Sequence, residues 1–184
     1  SADESLTLAC EVEGHADNAS AALFGGLTLS IHEEQGWLVR RYPVPPLRVV
    51  LAVPEINLPT QVARAALPEQ ISREAAVHNI GRTALMIEAL TTGNLELLSR
   101  AIRDCLHQPY RLQLIPGAAE AMAAARQAGA AGVALSGAGP SLIAFAAHHH
   151  PEIGAAMQAA FEQAGVSAQI LHLTTSLEGA QVLI

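Results

Sequence analysis

Leu135-Ser136-Gly137-Ala138-Gly139-Pro140-Ser141-Leu142 is the stretch on which the reading of this chain turns. Apolar runs flank it, Gly132-Val133-Ala134-Leu135 ahead and Leu142-Ile143-Ala144-Phe145 behind, so the pattern predicts two strands joined by a bare-backbone loop. Glycine has no Cβ and tolerates positive φ, so a loop of this kind can bring backbone N–H groups close to an anion. Alone, a glycine-rich hairpin turn is ordinary, and its meaning depends on the rest of the chain.

Downstream of the loop, His148-His149-His150 has the composition of a metal tract. Three adjacent residues cannot all face one ion from a regular strand, and Pro151 opens a helix, so the segment reads as an exposed turn. That helix carries Ile153, Met157, Phe161 and Ala164 inward and stops at Gly165; Ala168 to Leu173 closes as a strand of ambiguous register. Upstream, Pro116 starts an Ala-rich helix that ends at Gly129, and His107-Gln108-Pro109-Tyr110-Arg111 is a kinked segment presenting an arginine. Asn94 caps a helix with Leu95, Leu98, Ile102 and Cys105 inward, which makes Cys105 a core residue rather than a nucleophile. Ser72 caps another, with the stripe Val77, Ile80, Ala84 and Ile87, closing at Gly93. Thr60 caps a short helix to about Leu67 and shares one side of its first turn with Arg64. Arg48 to Val53 is a continuous apolar strand, covered on both faces. From about residue 47 the order is strand, four helices, strand, tight loop, strand, helix, strand, which predicts an α+β layer of helices on a mostly antiparallel sheet.

The N-terminal part reads differently. Leu6, Ala9 and Val12 suggest the inner face of a helix that stops at Gly14, leaving His15, Asp17 and Asn18 at its C-terminal edge. Such a cluster is either a helix stop followed by a turn, or a site where a carboxylate holds a cation while an imidazole and an amide orient a substrate. Gly25 to Ile31 and Gly36 to Arg41 read as strands around His32-Glu33-Glu34-Gln35. Pro43-Val44-Pro45-Pro46 breaks any ladder and marks a domain boundary, giving domains 1–46 and 47–184.

Composition narrows the chemistry. All ten basic residues are arginine, which excludes a phosphate-loop lysine, a Schiff-base lysine and a lysine general base within these 184 residues. An anionic ligand must be met by arginine forks, backbone amides, helix N-termini or a metal ion. The net charge of −7 argues against a nucleic-acid surface. No apolar run approaches a membrane span, and Cys10 and Cys105 fit neither a disulfide framework nor a metal spacing, so the expectation is a cytoplasmic protein without membrane contact.

Four pieces, in chain order, then carry a resemblance. Glu13-Gly14-His15-Ala16-Asp17-Asn18 with Gly25-Gly26, Pro59-Thr60 with Ala63-Arg64, His107-Gln108-Pro109-Tyr110-Arg111 with Ile115-Pro116-Gly117, and the glycine loop together resemble the homoserine kinase branch of the GHMP small-molecule kinases. The resemblance implies a GHMP kinase C-terminal domain, a ferredoxin-like layer, over 47–184, with 1–46 as the tail end of the N-terminal nucleotide-binding domain. It implies ATP-dependent phosphorylation of the hydroxyl of L-homoserine to O-phospho-L-homoserine, a step towards threonine, with Mg²⁺ as cofactor. Matched motif to motif, Glu13 is the magnesium ligand, with Glu11 as the less favoured substitute. His15, Thr60, Arg64 and Arg111 contact the substrate, the two arginines holding its carboxylate. Asn18 lies near the reacting hydroxyl and the transferred phosphoryl group, and Gly137 and Gly139 complete the pocket. The family's phosphate loop, of the form Pro-x-x-x-Gly-Leu-Gly-Ser-Ser-Ala, is not among these residues. The expectation is that it lies upstream of Ser1, that the 184 residues alone are inactive, and that uncovered apolar faces in 1–46 favour association, including a homodimer. The alternatives are another GHMP kinase acting on a different alcohol, or a non-catalytic amino-acid-binding module.

Overall fold

In the computed structural model, which describes residues 2–181, the first 46 residues fold with Leu90–Gly93 and the segment from Thr175 on, while Leu47–Ala89 and Asn94–Thr174 form a second unit. In the first unit, α1 (Ala2–Glu13) buries Leu6 and Cys10, one turn apart, against Ala16 and Ala19 of the following segment. Val12, expected inside, is 86% exposed, because it lies about 200° around the helix from Cys10. Gly14, at φ +74°, ends α1. Asp17 and Asn18 do not trail from that helix as expected; they open α2 (Asp17–Phe24). The strands β1 (Leu27–Glu33) and β2 (Gly36–Tyr42) form an antiparallel hairpin, with Leu27 opposite Tyr42 and Glu33 opposite Gly36. Ser20 is fully buried in this unit, yet its Oγ lies 2.9 Å from Thr28 Oγ1 and 2.8 Å from Ser30 Oγ, so its burial leaves no orphaned hydroxyl. The end of the chain returns here: the Gly26 N–H donates to Ser176 O at 2.9 Å and the Ala180 N–H to Ala22 O at 2.9 Å. Leu8, Ile31 and Leu38 are exposed.

The second unit starts with the apolar strand β3 (Arg48–Pro54), followed by α3 (Thr60–Ala65), α4 (Arg73–Thr92), of which the residues up to Ala89 belong to this unit, and α5 (Leu95–Ala101). A short helix, α6 (Gln108–Arg111), runs into a 3-10 turn at Leu112–Leu114 and precedes α7 (Ala118–Gln127). Then come β4 (Gly132–Leu135), β5 (Leu142–Phe145), α8 (His150–Gln163) and β6 (Ala168–Thr174). The sheet order is β4-β5-β3-β6 and every pairing is antiparallel. This is the β-α-β-β-α-β order of a ferredoxin-like layer, with several helices in the first crossover. The β6 register, ambiguous from the sequence, sets Pro54 opposite Ala168 and Arg48 opposite Thr174.

Val50, Ala52, Leu142 and Ala144 supply the sheet side of the core, and Ala118, Ala121, Met122, Ala125, Ile153, Met157 and Phe161 the helix side. Small residues let the helices lie close. A Cβ on Gly154 of α8 would stand 2.7 Å from Ile170 Cγ2 and 3.5 Å from Val50 Cγ1. Gly154→Ala should therefore destabilise by about 1–3 kcal/mol through overpacking. The midpoint of urea unfolding measures it, and an unchanged or raised midpoint would mean that α8 does not rest on β6 through this residue.

Three helix expectations are corrected. Val77 and Ile80 of α4 are 63% and 70% exposed, and Ala89 is the one buried residue of that helix: a 3.6-residue stripe states which face is apolar, not that anything covers it. Ala164 follows α8 as its exposed C-cap. Pro59, not Thr60, is the N-cap of α3, so the Thr60 hydroxyl makes no cap and Arg64 falls in the last turn of a six-residue helix. The helix starts at Ser72 and Asn94 are as expected: Ser72 Oγ accepts from the Ala75 N–H at 3.1 Å and Asn94 Oδ1 from the Leu97 N–H at 3.0 Å. His148 and His149 form the exposed approach to α8, and His150, half-buried, is its first residue. Among the described residues no helix is long and apolar enough to cross a membrane.

Candidate functional site

The glycine loop is pinned at its base by the β4–β5 pair, where Leu135 faces Leu142 and the Ser136 N–H donates to Ser141 O at 2.8 Å. Its two glycines do different things. Gly137, at φ +60°, has open space where a Cβ would stand, so its backbone can be approached from outside. Gly139, at φ +87°, presses inward: a Cβ there would lie 3.0 Å from Ile115 Cδ1, 3.3 Å from Leu135 Cδ2 and 3.9 Å from Leu58 Cδ2. Leu58 is two residues ahead of α3, so the loop is seated beside the entry to that helix.

The short helix α6 ties these pieces together. Gln108 Oε1 accepts from the Leu135 N–H at 3.0 Å, at the root of the loop, and its Nε2 donates to Ile102 O at 3.1 Å. One turn on, Arg111 Nε donates to Ala63 O at 3.3 Å, placing this half-buried side chain against α3. Thr60 and Arg64, four residues apart and both exposed, share a side of α3. Neither Arg64 nor Arg111 has a carboxylate partner among the described residues. Two uncompensated guanidinium groups on neighbouring short helices, beside a loop with free backbone, suit a small anionic ligand.

Asp104 escaped the sequence analysis. It is the main anchor of this arrangement: Oδ1 accepts from Asn79 Nδ2 at 2.6 Å and the Leu106 N–H at 2.8 Å, and Oδ2 from the N–H groups of His107 at 2.8 Å and Gln108 at 2.6 Å. Desolvation pushes its carboxyl up, but the hydrogen bonds from Asn79 and from the backbone of Gln108, Leu106 and His107 outweigh it and hold the pKa at about 2, against the usual 3.8. Because the folded value is depressed, this stabilisation is complete above the unfolded value and drains away as pH falls from about 4 through 2. Unfolding free energy should thus decline across that window, and Asp104→Asn should flatten the decline while lowering stability at pH 7. The signal available in the sequence is an aspartate two to four residues ahead of free N–H groups and a Pro, the pattern of a side-chain cap. Cys105, expected in the core, is half-buried and free; its Sγ and N–H both point to Asn79 Oδ1, each at 3.1 Å.

In the first unit, Glu13 closes α1, and His15 and Asn18 stand on either side of the start of α2. His15 Nδ1 is 2.6 Å from Asp17 Oδ1 but outside the direction of a ring N–H, so the pair is a close contact without a hydrogen bond. The Asn18 backbone N–H bonds Asp17 Oδ1 at 2.9 Å, while its exposed side-chain amide has no partner among the described residues. Glu11 and Glu13 are exposed, and no group of three or more His, Cys, Asp and Glu is placed to hold a metal among the described residues. A lone carboxylate does not make a protein cage. It does fit Mg²⁺, which keeps waters and takes most of its remaining ligands from substrate phosphates.

Residues 86–163 match the family model described as GHMP kinases C terminal. Together with the fold, this shows that the chain carries a GHMP kinase C-terminal domain. Within that class it is similar to homoserine kinases. It is 45% identical over 181 residues to the homoserine kinase of Moorella thermoacetica, covering 98% of this chain and 61% of the relative. It is 41% identical over 182 residues to that of Carboxydothermus hydrogenoformans, covering 99% and 60%. The crystal structure of homoserine kinase from Cytophaga hutchinsonii superposes with a TM-score of 0.89 at 30% identity, over 97% of this chain and 59% of that one. The chain thus spans about three fifths of the length of the curated relatives it matches.

Proposed function

We propose that this chain supplies the substrate-binding part of a cytoplasmic kinase that transfers the γ-phosphoryl group of ATP to the hydroxyl of L-homoserine, giving O-phospho-L-homoserine for threonine biosynthesis. The observation that carries this reading is the bond from Arg111 to Ala63 O, which holds Arg111 against the helix that bears Arg64, neither arginine having an acid partner among the described residues. The similarity to homoserine kinases selects the amino acid as the anion they hold.

In this reading Arg64 and Arg111 take the substrate carboxylate, Thr60 offers a hydroxyl to its polar end, and the backbone of Gly137 and Gly139 walls the pocket. His15 contributes an imidazole to the substrate, and Asn18 directs its amide at the reacting hydroxyl. Glu13 would hold Mg²⁺, and the ion would supply neutralisation of phosphate charge. The chain offers no lysine and needs none, since phosphoryl transfer asks the protein for positioning and charge stabilisation rather than covalent chemistry.

The test is ADP release by the full gene product over a panel of alcohols. Release that depends on L-homoserine, with a phosphorylated product, is the expected result. Turnover of a different alcohol alone would make it another GHMP kinase, and binding of homoserine without turnover would make it a sensing module.

A further inference from the structure

We propose that Asp104, braced by Asn79, is a positioning residue that sets the aim of Arg111; this rests on the reading of Arg111 as a carboxylate contact. Three hydrogen-bonded attachments tie the α6 segment to the rest of its unit. At its start, the Asp104 carboxylate gathers the N–H groups of Leu106, His107 and Gln108. In its first residue, Gln108 fastens it to the root of the glycine loop. At its end, Arg111 rests on α3. A four-residue helix cannot hold its own direction by internal hydrogen bonds, so its heading comes from these attachments.

Asp104 is itself fixed from outside. Asn79 donates its Nδ2 to the carboxylate and accepts on Oδ1 from the Cys105 N–H and Sγ, so one amide spans both residues at the bend. His78, adjacent on α4, lies with Nε2 2.9 Å from Arg103 O. The long helix α4, half of whose residues are exposed, therefore serves as the post from which the bend and then α6 are hung. An ionised carboxylate with four donors at 2.6–2.8 Å is a stiff joint, and Arg111 lies at the far end of the one-turn α6 that follows it. Asp104→Asn keeps the shape but presents an amide N–H₂ to backbone donors, which loosens the bend.

Three variants of the full gene product test the proposal: Asp104→Asn, Arg111→Gln and the double variant, each checked for folding by circular dichroism and thermal melting. Asp104→Asn should raise KM for L-homoserine by about tenfold and leave KM for ATP within about twofold, as expected for a misaimed carboxylate contact. In the double variant the homoserine effect should equal that of Arg111→Gln alone, because Asp104 acts through the arginine. Equal rises in both KM values, or an Asp104→Asn effect that multiplies with that of Arg111→Gln, would overturn the proposal and leave Asp104 a stability residue. Should Asp104→Asn fail to fold, Asn79→Ala, which removes one of the four donors, replaces it in the same cycle. An Arg111→Gln variant with wild-type kinetics would instead remove the reading of Arg111 itself, a separate outcome.

Discussion

Arg111→Gln is expected to lower kcat/KM for L-homoserine by about 100-fold, mostly through KM, while the unfolding midpoint moves little. The magnitude follows from losing a charge-assisted, two-point contact to a carboxylate, worth about 3 kcal/mol, at about 1.4 kcal/mol per decade. The structural cost is smaller, because the Nε–H to Ala63 O bond is a single, long one at 3.3 Å on a half-buried side chain. Arg111→Lys separates charge from geometry: a lysine restores the positive charge but not the fork, so rescue should be partial. Steady-state kinetics with L-homoserine as the varied substrate reads all of this. Full rescue by lysine would mean the site uses a point charge, and an unaltered KM in Arg111→Gln would mean that the amino acid binds elsewhere.

Asn18→Ala is expected to act on the other kinetic constant. A donor aimed at the reacting hydroxyl and the transferred group matters most when charge is moving, so the loss should be about 10²–10³-fold in kcat with KM for both substrates nearly constant. Stability should hardly change, since the side chain is exposed and has no partner among the described residues, and the Asp17 bond comes from its backbone. Single-turnover measurements isolate the chemical step. A variant that loses affinity but keeps kcat would make Asn18 a binding contact only.

Much of this arrangement could be read from residue order because its parts are locally encoded. Two apolar quartets about Gly137 and Gly139 state a hairpin, and the order of strands and helices from Arg48 on restricts the layer to helices on a mostly antiparallel sheet, the ferredoxin-like form being what the resemblance implies. Where the expectations failed, the deciding interaction is distant or absent. Val77 and Ile80 share a stripe, but nothing in a helix's own sequence tells whether another surface meets it. Thr60 looks like a cap, yet Pro59 ahead of it already takes that place, so the hydroxyl makes no cap. The bend at Asp104 depends on Asn79, 25 residues away, and the Arg111–Ala63 contact spans 48 residues, so neither could be deduced from spacing. The candidate site was therefore legible as a set of residue types, and the path that brings Arg111 to the Ala63 carbonyl of α3 became visible only with the fold.

The most direct test of the central claim, that the guanidinium groups at α3 and α6 exist to hold an amino-acid carboxylate, is a crystal structure of the full gene product with L-homoserine bound. The account predicts the substrate carboxylate within hydrogen-bonding distance of both Arg64 and Arg111, with the glycine loop against the same ligand. Homoserine bound with its carboxylate on other residues, and both arginines facing solvent, would contradict it.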